Sequence, residues 1–134
     1  MKYFKFLMLF VFMTLLQGCP ENMDGTIIGK LRINNLSNES IYFFDFVSSN
    51  EIEIEQVVYE YIKDIKIDSN HQLIYDVFEG QTTHGKKLYF FFFKETVLDN
   101  HTWEEIQQQH LYKKYSLTLD ELNAMNWELI YDGN

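Results

Sequence analysis

Apolar and aromatic positions along the chain fall into short alternating or continuous runs separated by turn chemistry, the pattern of a β-rich domain with few helices. Residues 26–34 set Ile27, Ile28, Leu31 and Ile33 among polar neighbours and predict a strand. The stretch 34–40, rich in Asn and Ser whose side chains bond the local backbone, predicts a loop. Residues 41–47, aromatic and β-branched, predict a second strand, and the two together an antiparallel hairpin with a long loop. Residues 51–67 fit two templates. Ile54, Val57, Val58, Tyr61, Ile62 and Ile65 recur at helical spacing, with Asn50 and Glu53 as a capping box. Glu51 to Glu55 alternates strictly, and the β-branched load favours strand.

Beyond a turn at 68–71, residues 72–78 predict a strand and 79–87 a loop. Leu88 to Phe93 is apolar at every position, so this strand needs cover on both faces. Thr102 caps a helix within 100–110, and Glu104 and Glu105 sit where the positive helix terminus favours acids. Residues 111–117 predict another strand. Thr118 and Glu121 form a capping box opening a helix through Met125, and 127–131 alternates as a closing strand. The fold class expected is α+β: one small domain dominated by antiparallel strands, sandwich-like, with one to three short helices.

The first eighteen residues stand apart. Lys2 and Lys5 precede an eleven-residue stretch, Phe6 to Leu16, in which only Thr14 is polar. As a helix it would reach about 16 Å, half a bilayer core, which is the length of a secretory signal rather than a span. Leu16-Gln17-Gly18-Cys19 follows at once, and Cys19 is the only cysteine of the chain. This resembles the lipobox of bacterial lipoprotein precursors. The resemblance implies cleavage between Gly18 and Cys19, with acylation of the Cys19 thiol and of the freed amine. Two or three acyl chains make a stable anchor where one does not. The expected organisation is a signal peptide at 1–18, a lipidated tether at 19–26 and a globular domain at 27–134.

Charge narrows the partners. The chain has 20 Asp and Glu against 11 Lys and Arg, a net charge of −9. Removing residues 1–18 takes away Lys2 and Lys5 and no acid, leaving 9 bases and a net charge of −11. So acidic a surface repels phosphate backbones, and no nucleic-acid partner is expected. With Cys19 acylated no disulfide is available, and the core alone must hold the domain.

The region from about residue 88 to residue 131 is similar to small uncharacterised lipoproteins of Bacteroidetes. It shares their aromatic strand, their Trp-led helix, the Tyr115-Ser116-Leu117-Thr118-Leu119-Asp120-Glu121-Leu122 segment, and Asn126-Trp127 with a final Tyr131. Lys113-Lys114 stands where they carry Lys-Arg. The resemblance implies a common fold and brings no activity with it.

Candidate chemistry is sparse. His71, His84, His101 and His110 lie in no metal-binding spacing, although His101 could share a helix face with Glu104 and Glu105. Asp64, Asp68 and Asn70 offer alternate oxygens but lack the glycine and terminal Glu of a calcium loop. Asn35, Asn38 and Asn100 begin glycosylation sequons, which in a bacterial chain are chance matches. Tyr42, Phe44 and Phe46 share one strand face, and Trp127 and Tyr131 another. Tyr59, Tyr61 and Tyr112 are the better candidates for a glycan-stacking surface. No cofactor, metal or catalytic residue is expected. The expected function is a non-enzymatic binding or accessory module of the envelope, held to the outer membrane through Cys19, with an envelope protein or a glycan as partner. The alternatives are an assembly subunit pairing through a sheet edge and, less favoured, a carboxylate-based hydrolase.

Overall fold

The two strands with apolar residues on both faces lie side by side in one sheet. The computed structural model describes residues 25–134, which form β1 (Ile27–Asn35), β2 (Ile41–Ser48), β3 (Lys66–Ile67), β4 (Gln72–Phe78), β5 (Lys87–Lys94), β6 (Lys113–Leu117) and β7 (Glu128–Tyr131). Three short helices accompany them: α1 (Glu95–Asn100), α2 (Trp103–Gln108) and α3 (Leu119–Ala124). An outer sheet has the order β4-β1-β7 and a central sheet the order β3-β2-β5-β6. Every pairing is antiparallel except that of β1 with β7.

The central sheet is covered on both sides, as the unbroken apolar run in β5 requires. Leu88, Phe90 and Phe92, with Ile41 and Phe43 of β2, face Leu31, Ile33, Val77, Leu129 and Tyr131 of the outer sheet. Tyr89, Phe91 and Phe93 point the other way, against Ile52, Ile54, Val57, Ile62, Leu98 of α1 and Ile106 of α2. The rings interlock edge to face, Phe43 with Phe90 at 6.0 Å and Phe90 with Tyr75 at 5.3 Å between centroids, the arrangement their quadrupoles favour. The outer sheet turns its other face to water, where Lys30 meets Asp76 and Arg32 meets Glu128, both at 3.7 Å. Exposed pairs of this kind contribute little stability.

The predicted hairpin of the first two strands does not form: β1 pairs with β4 and β7, while β2 pairs with β3 and β5. Their faces explain why. β1 alternates Leu31 and Ile33 with Lys30, Arg32 and Asn34, so it tolerates water on one side. β2 carries Ile41 and Phe43 on one face and Tyr42, Phe44 and Phe46 on the other, so it needs the covered sheet. The intervening loop therefore crosses between sheets, and a buried Asn35 braces it. Its Oδ1 accepts from Ser37 N at 3.1 Å and Ser37 Oγ at 2.6 Å. Its Nδ2 donates to Glu39 O at 2.8 Å and Ile67 O at 3.0 Å.

Residues 51–67 adopt neither predicted template along their length. They form two 3₁₀ segments, Ile54–Gln56 and Tyr59–Asp64, and then the short β3. The capping interaction is also shifted: Gln56 Oε1 accepts from Glu53 N at 2.8 Å. Ile52, Ile54, Val57 and Ile62 need only reach one sheet face, which irregular chain achieves without the cost of a β-branched helix.

Local signals hold well elsewhere. Glu105 Oε2 accepts from Thr102 N at 2.8 Å and Glu105 N donates to Thr102 Oγ1 at 3.3 Å; Thr118 and Glu121 repeat both bonds at the same lengths. Both helices end in a residue of positive φ, His110 (53°) and Asn126 (53°). The closing bonds run from Leu111 N to Ile106 O at 3.0 Å and from Trp127 N to Leu122 O at 2.9 Å, the six-residue reach of a Schellman end.

Candidate functional site

Alternation along β5 sets up a concave feature with mixed chemistry. Leu88, Phe90 and Phe92 share a face, so Lys94 is next in that row. On the antiparallel neighbour, Leu117 lies opposite Leu88, Tyr115 opposite Phe90 and Lys113 opposite Phe92. The inner core thus ends in two lysines. Beyond Phe92, whose ring centroid is 5.6 Å from that of Tyr131, lies a cavity of about 330 Å³. Phe92, Val97, Leu111 and Tyr131 supply its apolar lining, Lys94 and Lys113 its charge, and Tyr112 with the tail residues Gly133 and Asn134 the rest.

Both ammonium groups are loosely held. Lys94 Nζ is 3.9 Å from Glu39 Oε1, and Lys113 Nζ is 3.5 Å from Asp132 Oδ1. Elsewhere Lys66 meets Glu95 at 2.8 Å and Lys114 meets Glu51 at 2.7 Å. Lys113 also lies over the rings of Tyr115 at 5.5 Å and Tyr131 at 5.9 Å. Burial works against its charge, but the hydrogen bond and field of Tyr115 and the carboxylate of Asp132 outweigh it, so its pKa is raised. Burial, with the field of Glu39 behind it, pushes the Tyr131 hydroxyl up to about 12. Asp132 is held low, first by the backbone N–H of Asn134 and then by Lys113.

The residues singled out in the sequence fall elsewhere. Gly18 and Cys19 lie outside the described residues. The four histidines are dispersed, and two of them serve turns: His84 (φ 58°) precedes Gly85 (φ 73°), and His110 ends α2. His71 Nδ1 lies 2.9 Å from Ser69 O, and His101 Nδ1 lies 3.3 Å from Val97 O. Glu105, which was to share a face with His101, is engaged by the Thr102 cap. Asp68 accepts from Ser40 Oγ at 2.9 Å and faces Lys66 at 3.6 Å. Among the described residues no three His, Cys, Asp or Glu side chains converge as a metal site would need. Asn35, the acceptor of the first sequon, is fully buried and out of reach of any modifying enzyme.

The aromatic candidates divide. Tyr61 is 55% exposed, and Tyr59 stands against Trp103 at 5.4 Å on the surface of the helical layer. Tyr42, Phe44 and Phe46 pack on the second core, and Trp127 and Tyr131 belong to the first. Tyr112 is turned inward toward Phe91 and Phe93, at 5.8 and 6.2 Å, and lines the cavity. Lys94 and Val97 were not legible as site residues. The only local sign was that Lys94 breaks off the apolar run.

Compared with known proteins, the chain matches no family model, no curated protein and no solved structure.

Proposed function

We propose that this chain is an envelope lipoprotein, anchored in the outer membrane through acylated Cys19, whose domain acts as a non-enzymatic binding or accessory module. The observation that carries the reading is Leu16-Gln17-Gly18-Cys19 directly after an eleven-residue apolar stretch, with Cys19 the only cysteine of the chain. The start of the domain is compatible with it. The first strand begins at Ile27, itself 46% exposed, eight residues after Cys19. Eight residues span about 26–29 Å when extended, enough to stand a domain clear of lipid headgroups. Among the described residues no helix is long and apolar enough to cross a membrane, so a membrane attachment of the kind proposed rests on the acyl chains.

The test is expression of the full chain in a Gram-negative host with labelled palmitate. Label in the wild-type band, a mass shifted by the acyl groups, and partition into the detergent phase are expected. Cys19→Ala should abolish all three. A wild-type protein with no label, or a Cys19→Ala variant that still enters the detergent phase, overturns the anchor.

A further inference from the structure

The end of the inner core is where this domain departs from what packing alone would ask of it. Lys94 and Lys113 occupy the face that Phe92 and Tyr115 occupy one step earlier. They are diagonal neighbours across the β5–β6 pair, about 7–8 Å apart at the backbone, so both ammonium groups can reach one oxyanion. Each carries three N–H donors, and among the described residues each has a single carboxylate contact, at 3.9 and 3.5 Å. Those carboxylates have better partners of their own. Glu39 Oε2 accepts from Thr96 Oγ1 at 2.6 Å, and Asp132 Oδ1 accepts from Asn134 N at 3.0 Å. The two lysine side chains are only 36% and 35% exposed, against 66% for Lys30 on the open sheet face. They are partly withdrawn from water, and among the described residues neither ammonium has a carboxylate partner closer than 3.5 Å.

We propose that this cavity binds a small monocarboxylate with an aromatic or branched aliphatic body. The carboxylate lies between Lys94 and Lys113, and the body packs on Val97 and Leu111, with the buried rings of Phe92 and Tyr131 behind them. A volume of about 330 Å³ is at the small end for ligand sites and suits roughly ten to fifteen heavy atoms. Lysines act as point charges without the fork that reads a phosphate in two places. Glu39 and Asp132 stay close by in a strongly acidic domain, which admits one negative charge and opposes two. The proposal rests on the reading of the domain as a binding module and is independent of the anchor.

The mature chain from Cys19, methyl-labelled and held in dodecylmaltoside, is titrated with phenylacetate while the Val97 and Leu111 methyl signals are followed by NMR. Both should shift and saturate. Phenylacetamide, with the same ring and no charge, should bind at least tenfold more weakly, and so should phenylacetate to the Lys94→Gln/Lys113→Gln variant. No saturation up to about 10 mM, equal binding of acid and amide, or undiminished binding by a folded double variant overturns the proposal. The amide comparison needs no variant, so the test stands even if the double variant misfolds. The intact mass of the same sample reads the acyl groups, which separates failure of the pocket from failure of the anchor.

Discussion

Gly29→Ala is the smallest change with a large expected consequence. A Cβ at residue 29 would lie 2.7 Å from Cζ2 of Trp127 and nearer still to Cη2 and Cζ3. Carbon atoms rest about 3.5–4.0 Å apart, so the indole would have to retreat by about 1 Å. Little allows that. Trp127 Nε1 donates to Asn123 Oδ1 at 3.0 Å. Its backbone N–H closes α3 on Leu122 O at 2.9 Å, and its carbonyl accepts from Arg32 N at 2.9 Å. Asn126 and Trp127 both have positive φ, 53° and 57°, so the backbone around the ring has little room to relax. Overpacking of this kind costs about 1–3 kcal/mol. Alanine returns roughly 0.4–1 kcal/mol by restricting the unfolded chain. The net expectation is a loss of about 1–2 kcal/mol, or a melting midpoint lower by roughly 4–10 °C for a domain of this size.

Urea titrations followed by far-UV circular dichroism would read the loss as a shifted midpoint at constant slope. The cause is read from a double-mutant cycle with Trp127→Leu. Without the indole, Gly29→Ala should be neutral or slightly stabilising, a coupling of about 1 kcal/mol or more. An equal loss in both backgrounds would refute the steric argument, and so would a Gly29→Ala protein as stable as the parent.

Two further outcomes follow from single residues. His110 holds φ 53° at the end of α2, a conformation that costs most L-residues about 1–2 kcal/mol and glycine nothing. After the extra entropy of glycine in the unfolded chain, His110→Gly should stabilise by about 0.5–1 kcal/mol in urea titrations; a destabilised variant would mean that the imidazole has a structural role. Tyr131, 3% exposed, has its hydroxyl pushed up to about 12 by burial, whereas an unfolded tyrosine ionises near 10. Between those values the unfolded chain holds fewer protons than the folded one. The contribution of Tyr131 is therefore intact below about pH 10 and is lost above it at about 1.4 kcal/mol per pH unit. Tyr131→Phe should flatten the alkaline limb of midpoint against pH by that one proton, and an unchanged limb would refute the assignment.

Elements whose signals are local were legible. The Thr102 and Thr118 capping boxes act within four residues of chain, so their geometry needs no partner. Leu88 to Phe93 read as a strand with both faces covered, because a short aromatic run bounded by turn residues favours a strand over a buried helix. Signals completed from a distance were not. α1 has no cap of its own: Glu95 N donates to Ser40 O at 3.0 Å and Thr96 N to Glu39 Oε2 at 3.3 Å, both partners more than fifty residues away. Residues 51–67 carry helical and strand periodicity at once, and the face of Tyr89, Phe91 and Phe93 against which they pack selected a third arrangement. The cavity was invisible for the same reason: Lys94 and Lys113 meet through the register of β5 with β6, and Tyr131 reaches them only because β7 lies beside β1.

From its sequence alone this protein has most of its strands, the Thr102 and Thr118 caps and the two-sidedness of β5, since each depends on the residues within it and on the exchange of water for apolar contact. The resemblance at Leu16 to Cys19 is likewise a matter of adjacent residues. Which strand lies beside which was decided in three dimensions. β1 and β2 are neighbours in the chain, yet one has a polar face that must stay wet and the other has none. Burial of both faces of β2 outweighed the nearness in sequence that would have paired them. That choice separated the sheets, buried Asn35 between them, and left two lysines at the open end of an aromatic core.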